Sequence, residues 1–176
     1  MPQTADVVKG RAEEMPVADG AADWIWCRDM LLHVDLARTF GEFVRVLKPG
    51  GHAIVYVTVA TDLLEPSERK ELFDAIAIAA ESADAAAIEA RAAGAGLTLV
   101  SKETIAGEWR EHTIETGSWN PADDLLRLSR LRRREDELLE RYGAARVAAY
   151  IAGARWGIYQ LLGKLEPTIY VWRRDA

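Results

Sequence analysis

A chain of 176 residues, 49% of them hydrophobic, is long enough for one domain with a buried core and too apolar to stay disordered. With 22 basic and 28 acidic residues its formal net charge is −6, which argues against a general nucleic-acid coat. The single cysteine, Cys27, excludes an intrachain disulfide; the first ten residues hold no apolar signal core and no run is long enough to span a bilayer, so a cytoplasmic location without membrane association is expected.

In chain order, the run ADVVKG, Ala5 to Gly10, reads as a short strand. AEEMPVADGAAD follows as a loop, with Pro16 and Asp19-Gly20 as turn signals, and WIWC, Trp24 to Cys27, is the second strand. Asp35 can cap a helix in which Leu36, Phe40, Phe43, Val44 and Leu47 share one face, with Lys48 in its last turn. RVLKPGG, Arg45 to Gly51, then turns the chain into HAIVYVTVA, His52 to Ala60, whose nearly unbroken apolar run predicts a strand buried on both faces.

Helical sequence spans about Pro66 to Ala93, with a break near Ser82, and Gly94 and Gly96 end it before the strand LTLVSKETI, Leu97 to Ile105. Asn120 and Pro121 start a further helix that carries Leu125, Leu128, Leu138, Leu139 and Tyr142 and stops at Gly143. A second helix covers about Ala144 to Leu162, and PTIYVWRR, Pro167 to Arg174, is the last strand. The basic stretch RLSRLRRRED, Arg127 to Asp136, is interleaved with acids at helical spacing and reads as a solvated face. Strands alternating with helices imply an α/β fold with a mostly parallel sheet, whose ligands sit at the carboxyl ends of the strands.

Gly10, Arg11, Ala12, Glu13, Met15, Pro16, Asp19, Asp23 and His33, followed by Arg45 through Gly51, form a spaced pattern. It resembles the small-molecule class I S-adenosylmethionine-dependent methyltransferases of the type-11 family, closely over Ala5 to Ala60 and again at AAGAGLTLV and PTIYVWRR. The resemblance implies a Rossmann-like methyltransferase sheet, S-adenosyl-L-methionine as cofactor, and a small-molecule methyl acceptor reacting at oxygen, nitrogen or carbon. A nicotinamide-binding domain fits less well, because no phosphate loop follows a strand here.

By the same resemblance the loop after Gly10 runs past the adenine ring, where Ala12 offers a backbone amide and Arg11 and Glu13 lie beside it. Arg11 replaces an aspartate common in relatives and, unlike it, cannot accept a hydrogen bond from the adenine amino group. Cys27 and Arg28 follow the second strand at its cofactor-facing end, although Cys27 equally suits a small buried core position. His33 either faces the cofactor or acceptor or is bonded to backbone at a helix entry, the second being preferred.

The family's first half, a strand ending in a G-x-G-x-G loop and a second strand ending in a ribose-binding acid, has no counterpart in these residues. The expectation is therefore a single, N-terminally incomplete methyltransferase-like domain over residues 1–176, with Met1 at an internal methionine and weak or absent cofactor binding. The family sheet order 3-2-1-4-5-7-6 would leave WIWC as an open edge, inviting self-association, pairing with another chain, or a non-catalytic interaction module. By the resemblance, residues 106–164 are a helical insertion between the last two strands that either forms part of the acceptor pocket or only covers the sheet. Trp109, Glu111, His112, Glu115 and Trp119 cluster at its start, with His112 or Glu111 as candidate general base; no metal cluster is evident.

Overall fold

The computed structural model describes residues 6–175; the start at Met1 and Ala5, the first residue of the expected opening strand, lie outside the described residues. Strand β1 is Ala22–Arg28 and helix α1 is Leu36–Val46. The Asp35 carboxylate caps α1 by accepting from the Arg38 amide at 2.9 Å, and Leu36, Phe40, Phe43 and Val46 bury its inner face. The chain passes from α1 straight into β2, Leu47–Ala60. Gly51 must be glycine there, because a Cβ would stand 2.9 Å from the Lys48 carbonyl oxygen and 3.1 Å from that of Asp23. Lys48, expected in the last turn of the helix, lies in β2 instead and pairs with Asp23 at 2.8 Å.

Helix α2 is Pro66–Ile76, α3 is Ala85–Ala95 and β3 is Leu97–Thr104; a left-handed Ala77 and a 3₁₀ turn at Ala80–Ala83 separate the two helices, matching the expected break. Four cap helices follow: α4 at Gly107–Glu115, α5 at Pro121–Arg133, α6 at Glu135–Tyr142 and α7 at Ala144–Leu161. Strand β4, Leu165–Arg174, returns to the sheet. The helix expected from Asn120 to Gly143 is thus two helices. It breaks at Arg134, where Arg130, Arg132 and Arg133 close α5 and Glu135, Asp136 and Glu137 open α6, each group suiting its own helix end.

The sheet order is β1-β2-β4-β3, which reproduces the expected 4-5-7-6. β1 and β2 are parallel, while β4 runs antiparallel to both its neighbours, so β1, β2 and β3 point the same way. One face is dry: Cys27, Val55, Val57, Tyr170 and Trp172 are buried, with the Trp172 ring edge-on to Phe40 at 5.3 Å and stacked on Tyr170 at 4.6 Å.

The other face corrects the expectation that HAIVYVTVA is buried on both sides. His52, Ile54 and Tyr56 are only half-buried there, and Trp24 and Trp26 on β1 are 60% and 62% exposed. The cap covers this face only at its carboxyl end, where Thr58 is buried against Gln160 of α7. A second correction concerns ADVVKG. Residues 6–10 form no strand, and Val7 is 96% exposed. A strand needs a ladder partner, and among the described residues nothing pairs with this segment or with the outer edge of β1.

Candidate functional site

A cleft of about 480 Å³ lies between the loop at residues 10–17 and the carboxyl half of β1. Arg11 and Ala12 form one wall, Ile25, Cys27 and Arg28 the other, and Met15 and Phe43 add apolar surface. Four of the residues expected at the cofactor, Arg11, Ala12, Cys27 and Arg28, are therefore brought together. Residues 11–14 form a tight turn, closed by the Glu14 amide donating to the Arg11 carbonyl at 3.3 Å. Gly10 packs so closely on Pro16 that a Cβ would meet its ring at 2.4 Å, which keeps the loop folded back on itself.

Glu13 and His33 do not line this cleft. Backbone amides of Glu13 itself and of Asp35, with the Arg11 guanidinium at 3.5 Å, hold the Glu13 carboxyl below its ordinary range. The exposed His33 has its Nδ1 3.2 Å from the Ala77 carbonyl oxygen, the backbone-bonded arrangement preferred from the sequence. Cys27 faces the dry side of the sheet, opposite Val55, and burial pushes its thiol up to about 11. A buried thiol that is hard to ionise suits packing better than nucleophilic attack.

The loop is fixed from behind by Arg45, the first residue of RVLKPGG. Its Nη1 donates to the Val17 carbonyl at 2.7 Å and to Asp19 at 2.6 Å. Its Nη2 donates to the Met15 carbonyl at 2.9 Å, and both Nε and Nη2 meet Glu42 at 2.7 Å. Glu42 in turn accepts from the Met15 amide at 2.7 Å. The Arg45 hydrogen bonds, with lesser help from the Met15 amide, hold the Glu42 carboxyl down at about 2. This lock explains the arginine and its spacing from the EEMP loop, a role that the sequence pattern alone does not reveal.

Beyond β1 stands Asp29, a residue sequence reasoning passed over. It adopts a left-handed backbone at φ 52°, a conformation that Asp tolerates better than most residues, and its amide donates to the Tyr56 carbonyl at 2.9 Å. Burial raises its carboxyl, opposed by Arg28 and His33. The Arg28 guanidinium lies over the Tyr56 ring at 5.5 Å, so the carboxyl ends of β1 and β2 meet here.

The cap brings a second group to Tyr56. Arg110 of α4, a residue outside the cluster expected at the start of the cap, lies against two of its members, 4.9 and 5.1 Å from the ring centroids of Trp109 and Trp119. It donates to Gln160, whose amide nitrogen is 3.4 Å from the Thr58 hydroxyl. Trp119 Nε1 donates to the buried Asp124 at 3.1 Å. Glu111 and His112 lie on the exposed side of α4, away from this network. Among the described residues no group of three or more His, Cys, Asp or Glu is placed to hold a metal, and no helix is long and apolar enough to cross a membrane.

Residues 2–55 match the family described as a methyltransferase domain. Over 65 residues, 36% of this chain, the sequence is 37% identical to the dimethylglycine N-methyltransferase of Parasynechococcus marenigrum (strain WH8102), a stretch that makes up 23% of that protein. The fold is similar to a putative sarcosine dimethylglycine methyltransferase from Galdieria sulphuraria, with a TM-score of 0.64 and 22% identity, covering 94% of this chain and 57% of that one. It is also similar to phosphoethanolamine N-methyltransferase 2 of Haemonchus contortus, solved with phosphomonomethylethanolamine and S-adenosylhomocysteine, with a TM-score of 0.62, 18% identity, and coverage of 94% and 36%. The chain thus spans less than two thirds of the length of each of these relatives.

Proposed function

We propose that this chain carries part of a site for methyl transfer from S-adenosylmethionine to a small-molecule nucleophile; the match of residues 2–55 to a methyltransferase-domain family and the similarity of its fold to solved methyltransferases support this reading. One observation carries this reading: Arg11, Ala12, Cys27 and Arg28 line a single cleft at the carboxyl end of β1. Its apolar walls, Ile25, Met15 and Phe43, suit a flat adenine ring, and the turn at residues 11–14 presents backbone to the ring edge. Bound S-adenosylmethionine supplies the sulfonium methyl. The chain's own part is to hold the adenosine end in the cleft and the acceptor beneath the cap, in line with one another.

The ribose side of such a site ordinarily calls for an acid, and among the lining residues only Asp6 is acidic. Affinity for S-adenosylhomocysteine is therefore expected to be weaker than micromolar. Calorimetric titration tests this, with Ala12→Trp as the variant that fills the cleft. Weak binding that falls by about tenfold or more in the variant, ~1.4 kcal/mol, supports the reading. Binding that the variant leaves unchanged refutes it.

The open edge of β1 supports a further element of the proposal. Trp24 and Trp26 stand exposed along an edge that no described residue pairs, an arrangement that favours a second copy of the chain adding to the sheet. Sedimentation velocity should show concentration-dependent association. A monomer at tens of micromolar would remove it.

A further inference from the structure

We infer that Arg110 binds an anionic group, a carboxylate or a phosphate, on the methyl acceptor. The inference rests on the methyl-transfer reading for the word acceptor, and on the geometry of the cap for the anion.

Arg110 is a half-buried cation that makes no ion pair among the described residues, although the Asp124 carboxylate is near enough to act on it. Its guanidinium sits between the Trp109 and Trp119 rings, and its Nε is buried with no hydrogen-bond partner among the described residues. Its hydrogen-bond acceptor among the described residues, Gln160, is neutral. The Asp124 carboxylate is already engaged: Trp119 Nε1 donates to it at 3.1 Å and Arg127 pairs with it at 3.2 Å. No ion pair to Arg110 forms among the described residues, whereas Arg127, Arg132, Arg134 and Arg155 of the cap have carboxylate partners. A desolvated charge left without a partner is costly unless a ligand supplies one.

The shape of the site narrows the ligand. Contacts with two indole rings restrict the guanidinium, and a guanidinium fork matches the paired oxygens of a carboxylate or phosphate. The position is suited to an acceptor. Gln160 connects Arg110 to Thr58 on β2, one pleat beyond Tyr56 on the same face, and Arg28 over Tyr56 marks the way to the cleft. An acceptor anchored at Arg110 by its anionic end would extend its other end toward the carboxyl ends of β1 and β2.

Tryptophan fluorescence reads the site directly, because Trp109 and Trp119 flank the cation. The chain is titrated in a non-coordinating buffer, at constant ionic strength, with inorganic phosphate, with N,N-dimethylglycine, and with chloride as control. A saturable change with phosphate or dimethylglycine, absent with chloride, is expected. It should weaken at least tenfold in Arg110→Gln and return in part in Arg110→Lys, which a purely structural brace would not do. Tighter phosphate binding assigns a phosphorylated acceptor, and tighter dimethylglycine binding a carboxylated one. No saturable change in the wild type, or one that both variants retain in full, overturns the inference. S-adenosylhomocysteine affinity is measured in parallel and should be the same in all three proteins. Anion binding without any nucleoside binding would leave the anion site standing and remove the methyl-transfer reading. Nucleoside binding without anion binding would remove only the role of Arg110.

Discussion

The guanidinium of Arg45 donates to the main-chain carbonyl of Met15 at 2.9 Å, across 30 residues of sequence. With Val17, Asp19 and Glu42 it forms a lock that sets the back wall of the cleft. Arg45→Lys keeps the charge and loses the fork. Faster hydrogen exchange, by about tenfold or more, is expected at the Met15 and Gly20 amides, whose acceptors are Glu42 and the Arg45 carbonyl. Unchanged exchange at both amides would show that the loop holds itself.

Glu42 gives this lock a pH dependence. Its carboxyl titrates at about 2 when folded, against an ordinary value of 4.5. A folded value below the unfolded one stabilises fully above about pH 4.5 and loses that contribution as pH falls through about 2. The stability difference between wild type and Glu42→Gln, from urea denaturation, should therefore be constant above pH 5 and shrink toward pH 2. A difference that does not change with pH would contradict the assignment.

Gly157 lets α7 approach Trp119. A Cβ there would lie 3.1 Å from the indole and 3.4 Å from the Asp124 carboxylate. Gly157→Ala should displace Trp119, shift the fluorescence and weaken anion binding, while changing overall stability far less than Phe40→Ala. That core truncation, at a fully buried ring edge-on to Trp172, should cost about 3–5 kcal/mol. Equal losses from the two changes would mean that the cap is as integral to the fold as the sheet.

His112 and Glu111 lie on the exposed side of α4. Loss of a positioned general base ordinarily costs about 10²–10⁴ in rate. His112→Ala and Glu111→Ala are expected to change any methyl-transfer turnover less than about threefold; a loss of about a hundredfold or more would support the base role.

Much of the sheet was legible because its signals are local. Asp35 caps α1, Phe40 and Phe43 fall at helical spacing, and Gly50-Gly51 turns the chain into β2. Of the six residues that the pattern from Gly10 to Gly51 singles out, Arg11, Ala12, Cys27 and Arg28 line one cleft, while Glu13 and His33 do not. What depended on distant partners was not legible. Val7 and Val8 suit a strand by composition, but a strand exists only beside another. Arg110 hid beside a cluster whose aromatic and titratable members drew notice instead. Which side of α4 faces the sheet is decided by Gln160 and Thr58, 50 and more residues away in sequence.

The central claim, that the cleft beside β1 takes the adenosine end of S-adenosylmethionine, is tested most directly by titrating S-adenosylhomocysteine into isotopically labelled chain and following backbone amide shifts. Saturable shifts confined to residues 10–17 and 25–30, and missing in Ala12→Trp, are predicted. Shifts centred elsewhere, or the same shifts in Ala12→Trp, would contradict it.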